Sequence, residues 1–447
     1  MKHLFTLLTA LCVLSSFAQK ALPAEVIKSI ESRIANGYSP SIAIGIIDKD
    51  GPQYYLFGTK TAGGQPVNEH TIYEIGSISK TFTGILLAQA VLEGKVKTDD
   101  PAQIHLPSAV KLPTKDGKQI TLGHLSDHTS ALARMPSNFN PKDPANPYAD
   151  YTVDQMYTFI NGYTLPRDIG SQYEYSNLAQ GLLGHILALK AGSSYEALML
   201  SKIAKPLGMK ETKITFDDKM KQNLAMGYSQ GVQVSNWDIP TLAGAGAIRS
   251  SVHDMLIYLQ ANMGLKKSKL LPAMQLSQQA RHDKPGGGMR VGLGWHIAKG
   301  AEGDVIWHNG GTGGYRTFVG FVKETGKGVV VLTNSSKGAD DLGFHLLNSE
   351  AKLIDVEVSI KLAESVLESY VGVYELAPNF TITITRNGTQ LFGQATGQGQ
   401  FELFPKSETE FFLKVVDAQV TFSVKEGKVE SLTLFQGGQV MPGKKIK

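Results

Sequence analysis

Residues 77–94 read SISKTFTGILLAQAVLEG, an apolar run bounded by serine and glycine. Positions spaced as on the buried face of a helix are occupied by Phe82, Ile85, Leu86, Gln89, Ala90 and Leu92. Gly94 then supplies the residue that commonly ends a helix, because glycine tolerates the left-handed conformation found there. The pattern predicts a buried helix with Ser77 at its N-terminal end.

This stretch begins with a serine and a lysine three positions apart, Ser77 and Lys80. One helical turn places such residues on the same face, so the hydroxyl and the amine can meet. Burial of Lys80 in an apolar helix favours the neutral amine, which can accept the serine proton. Ser77 and Lys80 are therefore predicted to be a nucleophile and its base.

Two other serines lie in sequences that resemble nucleophile motifs. Ser108 precedes Lys111 at the same spacing, but the pair lies in a polar loop between Pro107 and Pro113. Ser229 is the centre of a Gly-x-Ser-x-Gly sequence, which in α/β-hydrolases needs a strand before it and a helix after it. The flanks of Ser229 favour neither element. Both serines stay as weaker alternatives.

Strand patterns lie at both ends of a mainly helical stretch. An N-terminal hairpin is predicted over 41–57, and strand character returns at 318–323 and 328–334. A last helix is predicted over 341–352. The arrangement indicates one sheet closed by distant segments, in a domain that spans residues 22–352.

A second domain is predicted over residues 363–447, beyond a charged linker near 355–364. Its sequence changes to short alternating strands separated by turns, for example at 380–384 and 429–435, which is typical of an all-β domain. It has no cluster of acids, histidines or hydroxyls at useful spacing. A structural or substrate-shaping role is therefore expected.

The composition is that of a globular protein. Of 447 residues, 42% are hydrophobic and 19% are charged, which excludes disordered and coiled-coil classes. The net charge of +4 is spread along the chain without a long basic run, so no nucleic acid or anionic lipid partner is indicated. A small molecule or short peptide is the expected ligand.

The first 18 residues have the pattern of a cleaved signal peptide. Lys2 and His3 form a basic start, an apolar run follows, and small residues precede a cleavage point after Ala18. The apolar run is too short for a transmembrane helix, so no integral membrane segment is expected in the mature chain. Cys12, the single cysteine, lies inside this segment, which excludes thiol catalysis and cysteine-bound metals from the mature protein. A secreted, periplasmic protein is predicted.

Two further motifs follow Ser77 and Lys80 in a characteristic order. Tyr175-Ser176-Asn177 precedes a helical pattern, and His308-Asn309-Gly310 opens a glycine-rich run. Ser-x-x-Lys, Tyr-x-Asn and a third motif ending in glycine resemble the serine β-lactamases and penicillin-binding proteins. The Tyr-x-Asn form resembles the class C β-lactamases and the related D-alanyl-D-alanine carboxypeptidases and esterases. The resemblance extends over residues 22–352.

The resemblance implies a role for each motif residue. Ser77 would be the nucleophile and Lys80 its base, while Tyr175 would carry protons to the leaving group and activate water. Asn177 would bind the substrate's amide group, and the backbone amides of Ser77 and Gly311 would form the oxyanion hole, which stabilises the charge that develops in the transition state. No metal or organic cofactor is implied.

The third motif departs from the class C pattern. That pattern is Lys-Thr-Gly, whereas this chain has His308, Asn309 and Gly310 as predicted substrate-binding residues. Histidine is only partly charged at neutral pH, so it would bind a substrate carboxylate more weakly than the lysine does. Arg316 is the alternative source of charge.

A zinc site is the alternative interpretation of His124 and His128. Their spacing of four suits two ligands on a helix, but the glutamate of the metalloprotease motif is missing. This segment instead matches the serine hydrolase resemblance.

The implied fold is α+β: a β-lactamase/transpeptidase-like domain, with an antiparallel sheet and a helical subdomain, followed by a small all-β, lipocalin-like domain. The predicted reaction is acyl transfer to water through an ester on Ser77. β-Lactams are the first predicted substrate, and D-alanyl peptides or carboxylic esters are the alternative. Two alternatives of another class are a penicillin-binding sensor that never hydrolyses its acyl-enzyme and an interaction protein with a vestigial site.

Overall fold

The structure is a computed structural model, which describes residues 20–281, 290–354, 359–413, 416 and 418–447. The predicted signal peptide and Cys12 lie outside the described residues. None of the helices in these ranges combines the length and the apolar character that a membrane crossing requires.

Thirteen α-helices are assigned in the described ranges. They are α1 (Ala24–Ala35), α2 (Ser79–Leu92), α3 (Leu122–Ser126), α4 (Val153–Gly162), α5 (Asn177–Ala191), α6 (Tyr195–Met199), α7 (Lys205–Leu207), α8 (Asp218–Gln222), α9 (Ala243–Gly246), α10 (Val252–Asn262), α11 (Leu271–Ser277), α12 (Asp340–Leu347) and α13 (Glu364–Tyr370). Short 3-10 turns occupy Gly76–Ile78 and Ala102–His105.

The strands form one large sheet, three small two-stranded sheets and one closed barrel. Those before residue 340 are β1 (Ser41–Asp48), β2 (Gly51–Gly58), β3 (Ile72–Glu74), β4 (Thr114–Lys115), β5 (Lys118–Gln119), β6 (Gly227–Ser229), β7 (Val232–Val234), β8 (Arg249–Ser251), β9 (Arg290–Val291), β10 (His296–Gly300), β11 (Gly303–Gly311), β12 (Arg316–Val322) and β13 (Lys327–Thr333). The barrel strands are β14 (Gly372–Ala377), β15 (Phe380–Asn387), β16 (Gln390–Ala395), β17 (Gln400–Pro405), β18 (Glu410–Phe412), β19 (Ala418–Lys425), β20 (Lys428–Gln436) and β21 (Gln439–Lys445).

The large sheet is antiparallel and joins the two ends of the first domain. Its order is β2-β1-β13-β12-β11-β10-β9. Ile42 lies opposite Thr333 and Ile47 opposite Gly328, so β1 pairs directly with β13. The prediction of one sheet closed by distant segments is confirmed.

Helices cover both faces of this sheet, which explains why β1 is apolar without alternation. Ile42, Ile44 and Ile46 share a core with residues of α1 and α12. Ala43 and Ile47 belong to the other core, which includes most of the helical middle. The buried helix α2 lies in that second core, with residues 79–88 all buried.

Strands β10 and β11 were not predicted from the sequence. His308, Asn309 and Gly310 were expected to open a glycine-rich loop before a strand, but they form the end of β11 and pair with β12. The cause is hydrogen bonding across the sheet, which holds the polar and glycine-rich end of β11 extended. This pairing decides which side of the sheet each motif side chain faces.

The C-terminal strands form a closed eight-stranded antiparallel barrel, as the lipocalin-like expectation implied. Tyr374 in β14 lies opposite Lys445 in β21, which closes the barrel. A cavity of about 300 Å³ is lined mostly by apolar side chains, among them Phe380, Phe401 and Leu434. Among the described residues that line it there is no acid, histidine or serine.

Candidate active site

Ser77 lies in the 3-10 turn that connects β3 to α2. The preceding residue, Gly76, has a φ of +51°, and a Cβ there would lie 2.6 Å from the backbone nitrogen of Gly311. Glycine is therefore required both by the backbone conformation and by the close approach of β11. This approach brings the amide of Gly311 beside the Ser77 turn.

Lys80 is fully buried one helical turn after Ser77. Its Nζ lies 2.9 Å from Ser77 Oγ, 2.9 Å from Asn177 Oδ1 and 2.7 Å from the carbonyl oxygen of Ala245. Burial lowers the pKa of Lys80 well below its usual range, and the charge of Arg134 lowers it further. A neutral amine has two N–H donors for the Asn177 and Ala245 oxygens, and its lone pair then faces the Ser77 hydroxyl.

Tyr175 lies two residues before α5, whose N-terminus is capped by Ser176 through a 2.9 Å hydrogen bond from Ala179 N. Burial raises the pKa of the Tyr175 phenol, and the neighbouring Ser77 hydroxyl opposes this shift. Lys80 Nζ lies 4.7 Å from the Tyr175 ring centroid. A protonated phenol thus lies beside both Ser77 and Lys80, in a position to donate a proton.

The backbone of the third motif is pressed against the segment before Ser77. A Cβ at Gly310 would lie 2.0 Å from the carbonyl oxygen of Ile75, so no other residue fits there without moving β11. His308 is 1% exposed, and its Nδ1 lies 2.6 Å from the carbonyl oxygen of Asn309. Nδ1 therefore carries the hydrogen, which makes Nε2 an acceptor.

His308 carries no positive charge at neutral pH. Burial lowers its pKa well below the usual range, and the neighbouring His296 and Lys80 lower it further. Its Nε2 has no hydrogen-bond partner among the described residues. The lysine of the class C third motif is thus replaced by a neutral acceptor.

The structure does not bring all predicted site residues together. Asn309 Nδ2 donates to Asp340 Oδ2 at 2.6 Å, which turns its side chain towards α12 and away from Ser77. Arg316 Nη1 donates to the carbonyl oxygens of Thr312 and Tyr315 at 2.8 and 2.9 Å. Arg316 flanks Gly311, but these carbonyls occupy one of its terminal nitrogens.

Three buried histidines surround Tyr175, and we call them the imidazole cluster: His128, His296 and His308. The rings of His128 and Tyr175 stack with centroids 4.5 Å apart, and those of His296 and His308 with centroids 4.6 Å apart. His128 Nδ1 accepts a hydrogen bond from Ser176 N at 3.1 Å. Burial lowers the pKa of each of the three.

Sequence reasoning missed most of this cluster. His128 was considered as a zinc ligand with His124 and as part of a segment that matches the family resemblance, but not as a site residue. His124 Nδ1 accepts from Thr121 N at 3.2 Å in a capping box. His296 gave no signal because β10 itself was not predicted. Its Nε2 lies 3.1 Å from the Tyr173 hydroxyl.

Arg134 is a further residue that sequence reasoning missed. Its side chain is exposed, and its guanidinium carbon lies 4.9 Å from the Tyr175 ring centroid. The cleft beside it has a volume of about 30 Å³ and is lined by Ser77, Tyr148, Asn177, Trp237, Ile239, Leu242, Ala245, Gly246 and Gly311. That volume holds about one water molecule, so a substrate bound at Ser77 would extend out of the cleft.

The two rival serines lie in unsuitable surroundings. Ser108 is exposed in a turn, and Lys111 after it is also exposed. Ser229 ends β6, and a tight turn leads directly into β7, so the segment is a hairpin and not a strand followed by a helix. Neither serine has the buried amine that Ser77 contacts.

Known proteins are similar to this chain over most of its length. A beta-lactamase of Escherichia coli (strain K12) is 27% identical over 74% of this chain and 94% of its own. The D-alanyl-D-alanine-carboxypeptidase/endopeptidase AmpH of the same organism is 28% identical over 70% of this chain and 86% of its own. A solved structure, the Beta-Lactamase/D-Alanine Carboxypeptidase from Pseudomonas syringae, shares the fold with a TM-score of 0.62 and 21% identity, over 73% of this chain and 98% of its own.

Two family profiles divide the sequence between them. Residues 357–445 match a domain of unknown function (DUF3471). Residues 26–349 match the family described as Beta-lactamase, and this segment contains all four elements of the site: the Ser77 turn, Lys80, Tyr175 and the end of β11. The chain therefore belongs to the Beta-lactamase family and is a serine hydrolase.

Proposed function

We propose that the chain hydrolyses β-lactams through an acyl-enzyme on Ser77. The observation that carries this proposal is the 2.9 Å contact between Ser77 Oγ and the Nζ of Lys80, an amine buried completely and held at three oxygens. A neutral amine in this position is a general base for the hydroxyl. Tyr175, beside Ser77, supplies the group that activates water, a step that a sensor would lack.

In the proposed acylation, Lys80 takes the Ser77 hydroxyl proton as Oγ bonds to the lactam carbonyl carbon. The amides of Ser77 and Gly311 stabilise the charge on the carbonyl oxygen. The carbon–nitrogen bond then breaks, and the Tyr175 phenol gives its proton to the leaving nitrogen. Lys80 restores the phenol proton, so the site regains its resting protonation.

In the proposed deacylation, water attacks the ester on Ser77. Its proton passes towards Tyr175, which passes a proton on to Lys80. Cleavage of the bond between carbon and Oγ releases the acid, and Lys80 returns a proton to Ser77. Asn177, whose Oδ1 is held by Lys80 at 2.9 Å, is proposed to orient the substrate's amide through its remaining N–H groups.

A second candidate is hydrolysis of D-alanyl peptides or simple esters, and of these the third motif favours the esters. His308 is neutral, so it offers no charge to the carboxylate that both β-lactams and D-alanyl peptides carry. An ester without a carboxylate loses nothing by this change. Arg134, which is exposed beside Tyr175, is the charge that would instead bind a carboxylate, so its contribution separates esters from the two carboxylate-bearing substrates.

Export of the chain, cleavage after residue 18 and the domain bounds 22–352 and 363–447 are part of the proposal. The resemblance to enzymes that meet β-lactams or cell-wall peptides supports export. Mass spectrometry of the N-terminus of the protein recovered from its native compartment tests it. A mature chain that still begins at Met1 would contradict it.

Steady-state rates on three substrates test the proposed activity: a chromogenic cephalosporin, a D-alanyl-D-alanine peptide and a short p-nitrophenyl ester. Cephalosporin turnover that is abolished by Ser77→Ala, and retained in the matched Ser108→Ala and Ser229→Ala variants, is the expected result. Fast ester cleavage without cephalosporin turnover would assign the second candidate. A permanent penicillin adduct by intact mass would indicate a sensor, and no adduct on folded protein a vestigial site.

A further inference from the structure

Two histidines and a glutamate from separate parts of the chain meet outside the Ser77 site. His70 precedes β3, Glu211 lies in the segment between α7 and α8, and His253 lies in the first turn of α10. One ligand atom from each lies within 4.8 Å of the other two. His70 Nδ1 is 3.0 Å from Glu211 Oε1, and the two imidazole centroids are 5.0 Å apart.

Hydrogen bonds from neighbouring residues hold the candidate metal ligands in place. Ser251 Oγ donates to Glu211 Oε2 at 2.7 Å. The buried carboxylate of Asp254 accepts from Glu211 N at 2.7 Å, and its other oxygen lies 3.2 Å from His253 Nδ1. This contact leaves Nε2 as the atom that His253 offers to a metal ion, in the carboxylate–histidine–metal arrangement common around protein-bound metals.

The local charge favours a cation. Glu211 and Asp254 are buried acids, and Glu69 Oε1 lies 3.8 Å from His70 Nε2. Among the described residues, a basic group in contact with them is Lys219, whose Nζ lies 3.6 Å from Glu211 Oε1 with its side chain 72% exposed. A long exposed side chain can turn into solvent when an ion binds, so Lys219 does not block the position.

We propose that His70, Glu211 and His253 bind a divalent transition-metal ion, Zn²⁺ in the first place, with solvent completing the coordination. Two imidazoles and one carboxylate suit zinc and its neighbours, whereas magnesium and calcium prefer oxygen donors. The site is separate from the proposed catalysis.

The ion would join the ends of β3 and β8. Ile72 in β3 pairs with Ser251 in β8, immediately beside the three ligands. β3 leads directly into the Ser77 turn, and β8 into α10. Binding would therefore stabilise the support of the catalytic turn, without contact with Ser77.

Thermal unfolding and titration calorimetry of the metal-stripped, tag-free protein test the site with Zn²⁺ and Mg²⁺. Zinc at a hundredfold excess over its dissociation constant should raise the unfolding temperature by about 3–5 °C with one ion per chain, whereas Mg²⁺ should not. His70→Ala and His253→Ala should lose this response. Both ligands are partly exposed, so these variants should fold.

His185→Ala and His296→Ala are the matched controls, because they remove histidines elsewhere, the second one from the imidazole cluster. Both should keep the zinc response. An unchanged zinc response in His70→Ala or His253→Ala, or loss of the response in His296→Ala alone, would overturn the site. Absence of stoichiometric binding would overturn it as well. None of these outcomes depends on which substrate Ser77 acts on.

Discussion

Replacement of Lys80 by methionine is the sharpest test of the Ser77 site. The substitution keeps an unbranched side chain of similar length and removes the amine that contacts Ser77, Asn177 and Ala245. Loss of a positioned general base slows proton transfer by about 10²- to 10⁴-fold. Acylation should fall by that factor, which corresponds to about 3–5 kcal/mol of barrier.

The fold should tolerate this change. The Asn177 and Ala245 oxygens each lose an N–H donor, at about 1–3 kcal/mol each. The variant has no buried amine, however, so the desolvation cost of that amine is also removed. The free energy of unfolding should therefore change far less than two lost hydrogen bonds suggest. Urea unfolding measures the change in the free energy of unfolding separately from the acylation rate.

Single-turnover acylation by a chromogenic cephalosporin, followed across pH, is the assay. In the natural protein the rate should rise with pH as Lys80 loses its proton, and at lower pH than an exposed lysine would require, because burial lowers its pKa. Lys80→Met should lack this rise. Lys111→Met, which changes the exposed lysine of the rival Ser108 motif, is the matched control and should acylate normally. A folded Lys80→Met variant that acylates within about threefold of the natural rate would refute Lys80 as the base.

Three further predictions concern neighbouring groups. Tyr175→Phe keeps the ring and removes the hydroxyl, so acyl-enzyme should persist by intact mass and turnover should fall about 10²-fold; unchanged turnover would exclude the proton transfer assigned to Tyr175. Gly310→Ala places a Cβ 2.0 Å from Ile75 O, so β11 must move and acylation should slow while the barrel stays folded by circular dichroism; a normal rate would contradict the close approach. Burial lowers the pKa of His296 from 6.5 to about 4, so the unfolded chain binds a proton that the folded chain does not. The contribution of His296 to the free energy of unfolding should be at its maximum above pH 6.5 and should decrease towards pH 4, by on the order of 3 kcal/mol. An equal decrease in the His296→Gln variant would assign the effect to other groups.

The elements that sequence reasoning predicted are those with a local cause. The helix that carries Lys80 follows from apolar spacing and a terminal glycine, and β1 and β13 follow from continuous apolar runs. Ser77, Lys80 and Tyr175 were chosen from short motifs, and the structure brings them together. Their catalytic roles stay predictions.

The elements that it missed have causes distant in the chain. β11 ends in polar and glycine residues that no strand pattern includes, and its partners β10 and β12 hold it extended. Arg134 and His296 reach Tyr175 only through the tertiary fold, so no spacing relates them to the motifs. Asn309 shared a motif with His308, but the alternation of side chains along β11 turns it to the opposite face.

The pairing of β1 with β13 also determines when the first domain can fold. Ile42 cannot reach Thr333 until nearly the whole domain has left the ribosome, because its partner strand is among the last to be synthesised. Until then β1 has only β2 as a neighbour, and a lone hairpin is marginally stable in water. Such long-range contacts slow folding, since chain entropy is lost before the contacts form. The apolar hairpin therefore stays exposed until the end of the domain has been synthesised. Truncated products keep this hairpin exposed, so they are prone to aggregation.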